Sequence, residues 1–157
     1  MLRVDVRELR RGPVGISAEL PVGWPELAGT DLELAAPVRV EGILQGAPER
    51  RTFRWQGRIS TRVGVECRRC LVPVEVAIDA EVEVVFTPDP DAADDPGVYP
   101  LEAAGTEIDL APAVREELLL AVPAFVSCRE ECAGLCQRCG ADLNSGPCGC
   151  APAAEPA

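Results

Sequence analysis

Residues 52–86 read TFRWQGRISTRVGVECRRCLVPVEVAIDAEVEVVF, and this stretch decides the fold. From Thr52 to Val65, Phe53, Trp55, Ile59, Thr61, Val63 and Val65 share one parity, while Arg54, Arg58 and Arg62 share the other. From Val72, residues Val74, Val76, Ile78, Ala80, Val82 and Val84 continue the period of two. Side chains of a strand alternate between two faces, so each half predicts a long strand with one buried face. The break at Cys67-Arg-Arg-Cys70 then predicts an antiparallel hairpin with the cysteine pair at its turn.

Working outward, Leu2 to Glu8 also alternates (Leu2, Val4, Val6 against Arg3, Asp5, Arg7) and predicts a first strand. Val14 to Leu20 predicts a short second strand, ended by the turn residues Gly23-Trp24-Pro25. Leu32 to Leu44 predicts another, and Pro37 places it at a sheet edge or gives it a bulge. Gly46-Ala47-Pro48 is a turn, and residues 87–100 (TPDPDAADDPGVYP) are expected to form an exposed, mobile loop. Near 110–121, Leu110, Val114, Leu118 and Ala121 recur at helical spacing, with Asp109 as N-cap, Pro112 in the first turn and Pro123 as the stop. The expectation is an α+β, mostly β protein: an antiparallel sheet or partly closed barrel with one main helix. That body spans 1–127, a Cys-rich segment at 128–150 packs on it, and the tail 151–157 is expected to be disordered.

Composition limits function. The chain has 157 residues, enough for one domain with a real core, and its 47% apolar but 4% aromatic content implies a core of Val, Leu, Ile and Ala. No run reaches the roughly 18 to 20 apolar residues of a membrane span. No signal peptide is recognisable at the N-terminus, so the expected setting is the reducing cytoplasm, where close cysteine pairs hold metal more often than they form disulfides. A net charge of -11 argues against a protein that coats nucleic acid. The charge is uneven, however: seven Arg against Glu66 make residues 50–70 locally +6, while eleven acids against Arg115 make residues 81–117 locally -10.

The eight cysteines are Cys67, Cys70, Cys128, Cys132, Cys136, Cys139, Cys148 and Cys150, and the chain has no His. Cys67–Cys70 and Cys136–Cys139 have the C-x2-C spacing in which a tight turn turns two sulfurs toward one zinc ion. Gly140 follows the second knuckle, and Cys148-Gly-Cys150 supplies another close pair. Eight thiolates permit two four-thiolate zinc sites. The preferred partition is a local site from Cys136, Cys139, Cys148 and Cys150, and a non-local one from Cys67, Cys70, Cys128 and Cys132. An iron–sulfur cluster would use the same ligands, and Cys67–Cys70 alone would also serve as a redox pair. No catalytic residue emerges: zinc saturated by thiolates has no open position, there is no His to act as base, and Ser17, Ser60, Ser127 and Ser145 lack a nucleophile-elbow context.

These motifs occur in an order that resembles a known family. CRRCL at 67–71 with PVEV at 73–76, EIDL at 107–110, ELLLAVP at 117–123, then Cys128-x3-Cys132-AGLC-x2-CGADLN and the final Cys148-Gly-Cys150 are similar to the YceD family of large ribosomal RNA subunit accumulation proteins. The likeness runs from about residue 60 to 150 and implies a role in accumulation or processing of the large-subunit ribosomal RNA precursor, alongside assembly of the large subunit, without implying a known catalytic activity. Beside it stands a reading of the arginines themselves. Arg54, Arg58 and Arg62 on one strand face, with Arg68 and Arg69 at the hairpin tip, form a candidate RNA-binding set. The competing expectation pairs the strand arginines with Glu75, Glu81 and Glu83 of the neighbouring strand. The rival function is an acidic protein that holds a basic ribosomal protein through Glu81 to Glu117 without contacting RNA.

Overall fold

A computed structural model of the protein describes residues 2–49, 51–92, 94–102 and 105–150. The tail expected to be disordered, 151–157, lies outside the described residues, as does Arg50 of the basic segment. In chain order the strands and helices are β1 (Arg3–Asp5), α1 (Val6–Leu9), β2 (Val14–Leu20), β3 (Glu33–Leu34), β4 (Val38–Gly46), β5 (Phe53–Glu66), β6 (Pro73–Thr87), β7 (Val98–Pro100), β8 (Glu107–Asp109) and α2 (Ala111–Ala121). One sheet runs β2-β4-β5-β6-β7 with β3 also on β5; a second pairs β1 with β8. The main sheet is open and antiparallel except at β7, which joins β6 in parallel.

The hairpin β5–β6 is the longest pairing, from Phe53 opposite Phe86 to Glu66 opposite Pro73. Its register sets odd residues of β5 against even residues of β6, so Trp55 meets Val84 and Ile59 meets Ala80 on the same face. Val40 and Leu44 of β4 meet Ile59 and Trp55 from the other side. That face is buried, and α2 covers it with Ala113, Val114 and Leu118 while Leu2, Val4, Val6, Leu9 and Ile108 close the same core. Gly42 stands opposite Gly57 within this face. A Cβ on Gly42 would lie 2.7 Å from the Trp55 indole nitrogen, and one on Gly57 2.8 Å from its ring carbon Cζ2. The glycine pair is therefore the space that the fully buried Trp55 fills.

Three expectations change. The alternation at the N-terminus holds only for β1; from Val6 the chain is helical, capped by Asp5, whose carboxylate accepts the Arg7 amide at 2.7 Å. Val6 and Leu9, three apart, are both buried, a helical spacing that the alternation obscured. The segment 32–44 divides at Pro37, because β3 pairs with Val63–Gly64 and β4 restarts at Arg39 opposite Ser60, leaving two extra residues in a bulge. The bulge is anchored where Ala35 N–H donates to Arg62 O and the Thr61 hydroxyl donates to Ala36 O. Residues 87–100 are not loop throughout: Val98–Pro100 add a strand, and the Tyr99 ring lies 5.7 Å from that of Phe86. The helix keeps its place, and Asp109 accepts the Ala111 amide at 2.9 Å although Leu110 is the residue at the cap position. No helix is long and apolar enough to cross a membrane among the described residues.

Candidate metal centres and the basic hairpin tip

The tip of the β5–β6 hairpin is closed by two backbone bonds: Cys67 N–H donates to Val72 O and Leu71 N–H to Cys67 O, both at 2.8 Å. To close the knuckle Leu71 takes φ 60°, a left-handed conformation that a side chain disfavours. Beyond α2, Pro123 ends the helix and the chain passes the tip on one side, where Arg68 N–H donates to Val126 O at 2.8 Å. It returns on the other side, where Leu135 N–H donates to Arg69 O at 3.0 Å. The tip is thus held between residues 126 and 135. Gly134 makes the close approach, with φ 76° and space for a Cβ only 2.9 Å from Arg69 O.

This double attachment brings Cys67, Cys70, Cys128 and Cys132 together, with their sulfurs all within 4.8 Å of one another. Cys67 and Cys132 sulfurs are 3.9 Å apart, those of Cys70 and Cys128 3.6 Å. A tetrahedral site with zinc–sulfur bonds of about 2.3 Å has sulfurs about 3.8 Å apart, whereas a disulfide needs about 2.05 Å. All eight cysteines are free thiols at these positions. The second group, Cys136, Cys139, Cys148 and Cys150, also lies within 4.8 Å. It is built by one local loop, in which Gly140 N–H donates to Cys136 O, Cys136 N–H donates to Ala141 O, and Gly140 has φ 72°. The two knuckles share one geometry, with Leu71 in the first where Gly140 stands in the second. Each group of four can hold a metal ion, and the grouping is the one expected from spacing.

The thiols within each group are driven apart in acidity. The amides of Cys70 and Cys128 aim at Cys67 and lower it to about 6, and the Asn144 side chain lowers Cys132. The Val72 amide pulls Cys70 downward too, yet burial and the neighbouring sulfurs outweigh it and push that thiol up to about 12. In the local group the amides of Cys139 and Arg138 lower Cys136 to about 6, while Cys139 chiefly pushes Cys150 up to about 11. Some thiols of each group ionise readily and others resist because they face the charge of the first. A bound dication removes that conflict, which is why such sites favour metal over four free thiolates.

Asn144 has no metal-ligand spacing in the sequence, yet it meets the first cysteine group. Its amide donates to Cys132 Sγ at 3.5 Å, its carbonyl accepts the Ala133 N–H at 2.8 Å, and Asp142 accepts from both its backbone and its side chain. Asn144 lies in the turn between Cys139 and Cys148, so it connects the local loop to a ligand of the other group. The residue type, following a knuckle within a turn, was the available signal.

The arginines separate into two sets. Arg54 pairs with Glu83 at 3.4 Å, Arg58 with Asp79 at 3.0 Å and Glu81 at 3.4 Å, and Arg62 with Glu75 at 3.3 Å. The carboxylate-paired arrangement is thus the one present on the strand face, with Asp79 as an additional partner. Among the described residues neither Arg68 nor Arg69 makes an ion pair, and both are exposed. The Arg68 guanidinium lies 3.9 Å over the ring of Phe125.

A family model described as large ribosomal RNA subunit accumulation protein YceD matches residues 55–156. The chain belongs to the YceD family. The matched span contains the hairpin, α2 and both cysteine groups, and the family's name supports a role in ribosome biogenesis. An uncharacterized protein of Mycobacterium tuberculosis (strain H37Rv) is 30% identical over 93% of this chain and 72% of its own length. An uncharacterized protein of Mycobacterium bovis gives the same figures. A maize protein described as large ribosomal RNA subunit accumulation protein YCED homolog 1, chloroplastic, is 26% identical over 87% of this chain and 56% of its own length. No solved structure is significantly similar to this YceD chain.

Proposed function

We propose that the protein is a non-enzymatic, cytoplasmic ribosome-biogenesis factor that supports accumulation or processing of large-subunit ribosomal RNA, with two structural zinc ions. In this reading residues 1–127 form the sheet-and-helix body, and 128–150 form a metal-held segment packed on it. Zinc saturated by four thiolates has no free position for water and acts as a structural cross-link. One ion fixes the hairpin tip to the segment after α2; the other shapes the loop that carries Asn144. The cysteine residues bind, and the amides around them stabilise the thiolates.

The observation that carries the RNA reading is the contrast between the two arginine sets. Arg54, Arg58 and Arg62 sit among Glu75, Asp79, Glu81 and Glu83, which would repel an approaching phosphate even though each exposed pair contributes little stability. Arg68 and Arg69 have no carboxylate partner among the described residues and project from a tip held on both sides. The hydrogen bonds on the two sides fix the backbone that carries both side chains, so less freedom is lost when a guanidinium there binds phosphate. The RNA-binding proposal therefore narrows from five arginines to these two. Crosslinking in cells tests it: the expected result is large-subunit ribosomal RNA precursor attached to the peptide bearing Arg68 and Arg69. Crosslinks to proteins alone would contradict it and favour the acidic, ribosomal-protein-holding reading.

A further inference from the structure

Of the six large hydrophobic side chains exposed among the described residues, Leu71, Val72 and Phe125 belong to the hairpin tip or to the strand of chain attached to it. Phe125 is 72% exposed, so burial does not explain an aromatic ring there. Arg68 covers it at 3.9 Å from the ring centroid, and the backbone bond from Arg68 to Val126 fixes the two residues relative to one another. Among the described residues, Arg68 and Arg69 are not drawn into carboxylate pairs.

We propose that Phe125 and Arg68 form a stacking platform for an unpaired nucleobase of RNA, with Arg69 beside it taking the phosphate. A planar guanidinium stacked on an aromatic ring presents a flat, polarisable, positively charged layer, and unpaired bases stack on rings and guanidinium planes alike. The same layer has no use in a duplex, whose bases already stack on one another. The platform thus names the class of ligand: single-stranded segments or loops of RNA, read by stacking and not by groove contacts. This rests on the RNA reading above and adds to it a residue, Phe125, that carries no charge.

Holoprotein is titrated with an unstructured RNA oligonucleotide and with an RNA duplex of equal length. Phe125→Ala should weaken single-strand binding about 5- to 150-fold, the range for losing one stacked base at roughly 1 to 3 kcal/mol, while leaving the salt dependence unchanged because no phosphate contact is lost. Arg69→Ala should instead make the salt dependence shallower. Phe125→Trp should keep the affinity and lose emission as the single strand is added, against the background of Trp24 and Trp55, which are 9% and 0% exposed. Phe125→Leu, which keeps bulk without an aromatic face, should behave as the alanine variant does. Single-strand binding unchanged by Phe125→Ala, with Arg69→Ala still weakening it, would overturn the platform and leave the RNA reading standing. Equal loss of single-strand and duplex binding by Phe125→Ala would also overturn it. Binding of neither RNA form by the unaltered holoprotein would overturn both readings.

Discussion

The two cysteine groups are alike in their sulfurs and different in what they join. Cys67, Cys70, Cys128 and Cys132 come from two parts of the chain about sixty residues apart, and Cys67 and Cys132 are buried. Cys136, Cys139, Cys148 and Cys150 come from one short loop, and Cys139 is exposed. A metal in the first group closes a long loop across the sheet and α2, so its binding energy contributes to tertiary structure. A metal in the second would order a loop, residues 136–150, that makes no backbone hydrogen bond to the sheet among the described residues. On this account the same four-thiolate chemistry would be a clamp in one place and a local brace in the other.

The strongest way to break this comparison is to remove one ligand from each group. Cys67→Ser should leave one metal ion per chain, free the tip from the 126–135 segment, and lower the temperature of the main unfolding transition. Cys139→Ser should also leave one ion, yet leave that transition nearly unmoved and raise amide exchange only over residues 136–150. Metal analysis with calorimetry and hydrogen exchange reads both, and equal destabilisation by the two would remove the distinction. Next in size is Gly134→Ala, which adds a Cβ 2.9 Å from Arg69 O at a positive φ. We expect a loss of about 1 to 3 kcal/mol in denaturant unfolding, with the clamp opening first. No loss would mean that the tip is not held as closely as the backbone indicates.

Asn144→Ala should lower metal affinity of the clamp about 10- to 100-fold in competition with a chelator, because Cys132 loses its side-chain donor. An equal fall in the local group would show that Asn144 acts on the loop as a whole. The smallest effect sharpens the likeness of the knuckles. Leu71 is 55% exposed and occupies the left-handed position that Gly140 fills in the other, so Leu71→Gly should stabilise the protein by about 0.5 to 1 kcal/mol. Destabilisation would mean that the exposed leucine makes a contact worth more than its strain.

How much of this was legible in the sequence depended on the range of the interactions. The hairpin was legible because a strict period of two over Phe53–Val65 and Val74–Val84 fixes both register and buried face, and a slip of one residue would expose Trp55. The cysteine partition was legible from C-x2-C spacing and the short interval to Cys148 and Cys150. The switch from β1 to α1 was not, because the alternation runs on past Asp5 while β8, the strand that pairs with β1 only over Arg3–Asp5, lies more than a hundred positions away. Val98–Pro100 was hidden by the Pro, Gly and Asp around it, since a short parallel edge strand needs β6 to exist at all. The charge pattern allowed the strand arginines either carboxylate or phosphate partners, and only the cross-strand register brings Glu75, Asp79, Glu81 and Glu83 to them. Phe125 meets Arg68, and Asn144 meets Cys132, only because chain segments fold back on the tip, which no local pattern announces.

The most direct test is stepwise chelation of the holoprotein, following metal content, sheet structure and tip docking together. The account predicts two zinc ions per chain: one leaves at low chelator with the sheet and tip intact, and the second leaves only as the 126–135 segment separates from the hairpin. A single ion, iron in place of zinc, or release of both ions in one step with loss of the sheet would contradict it.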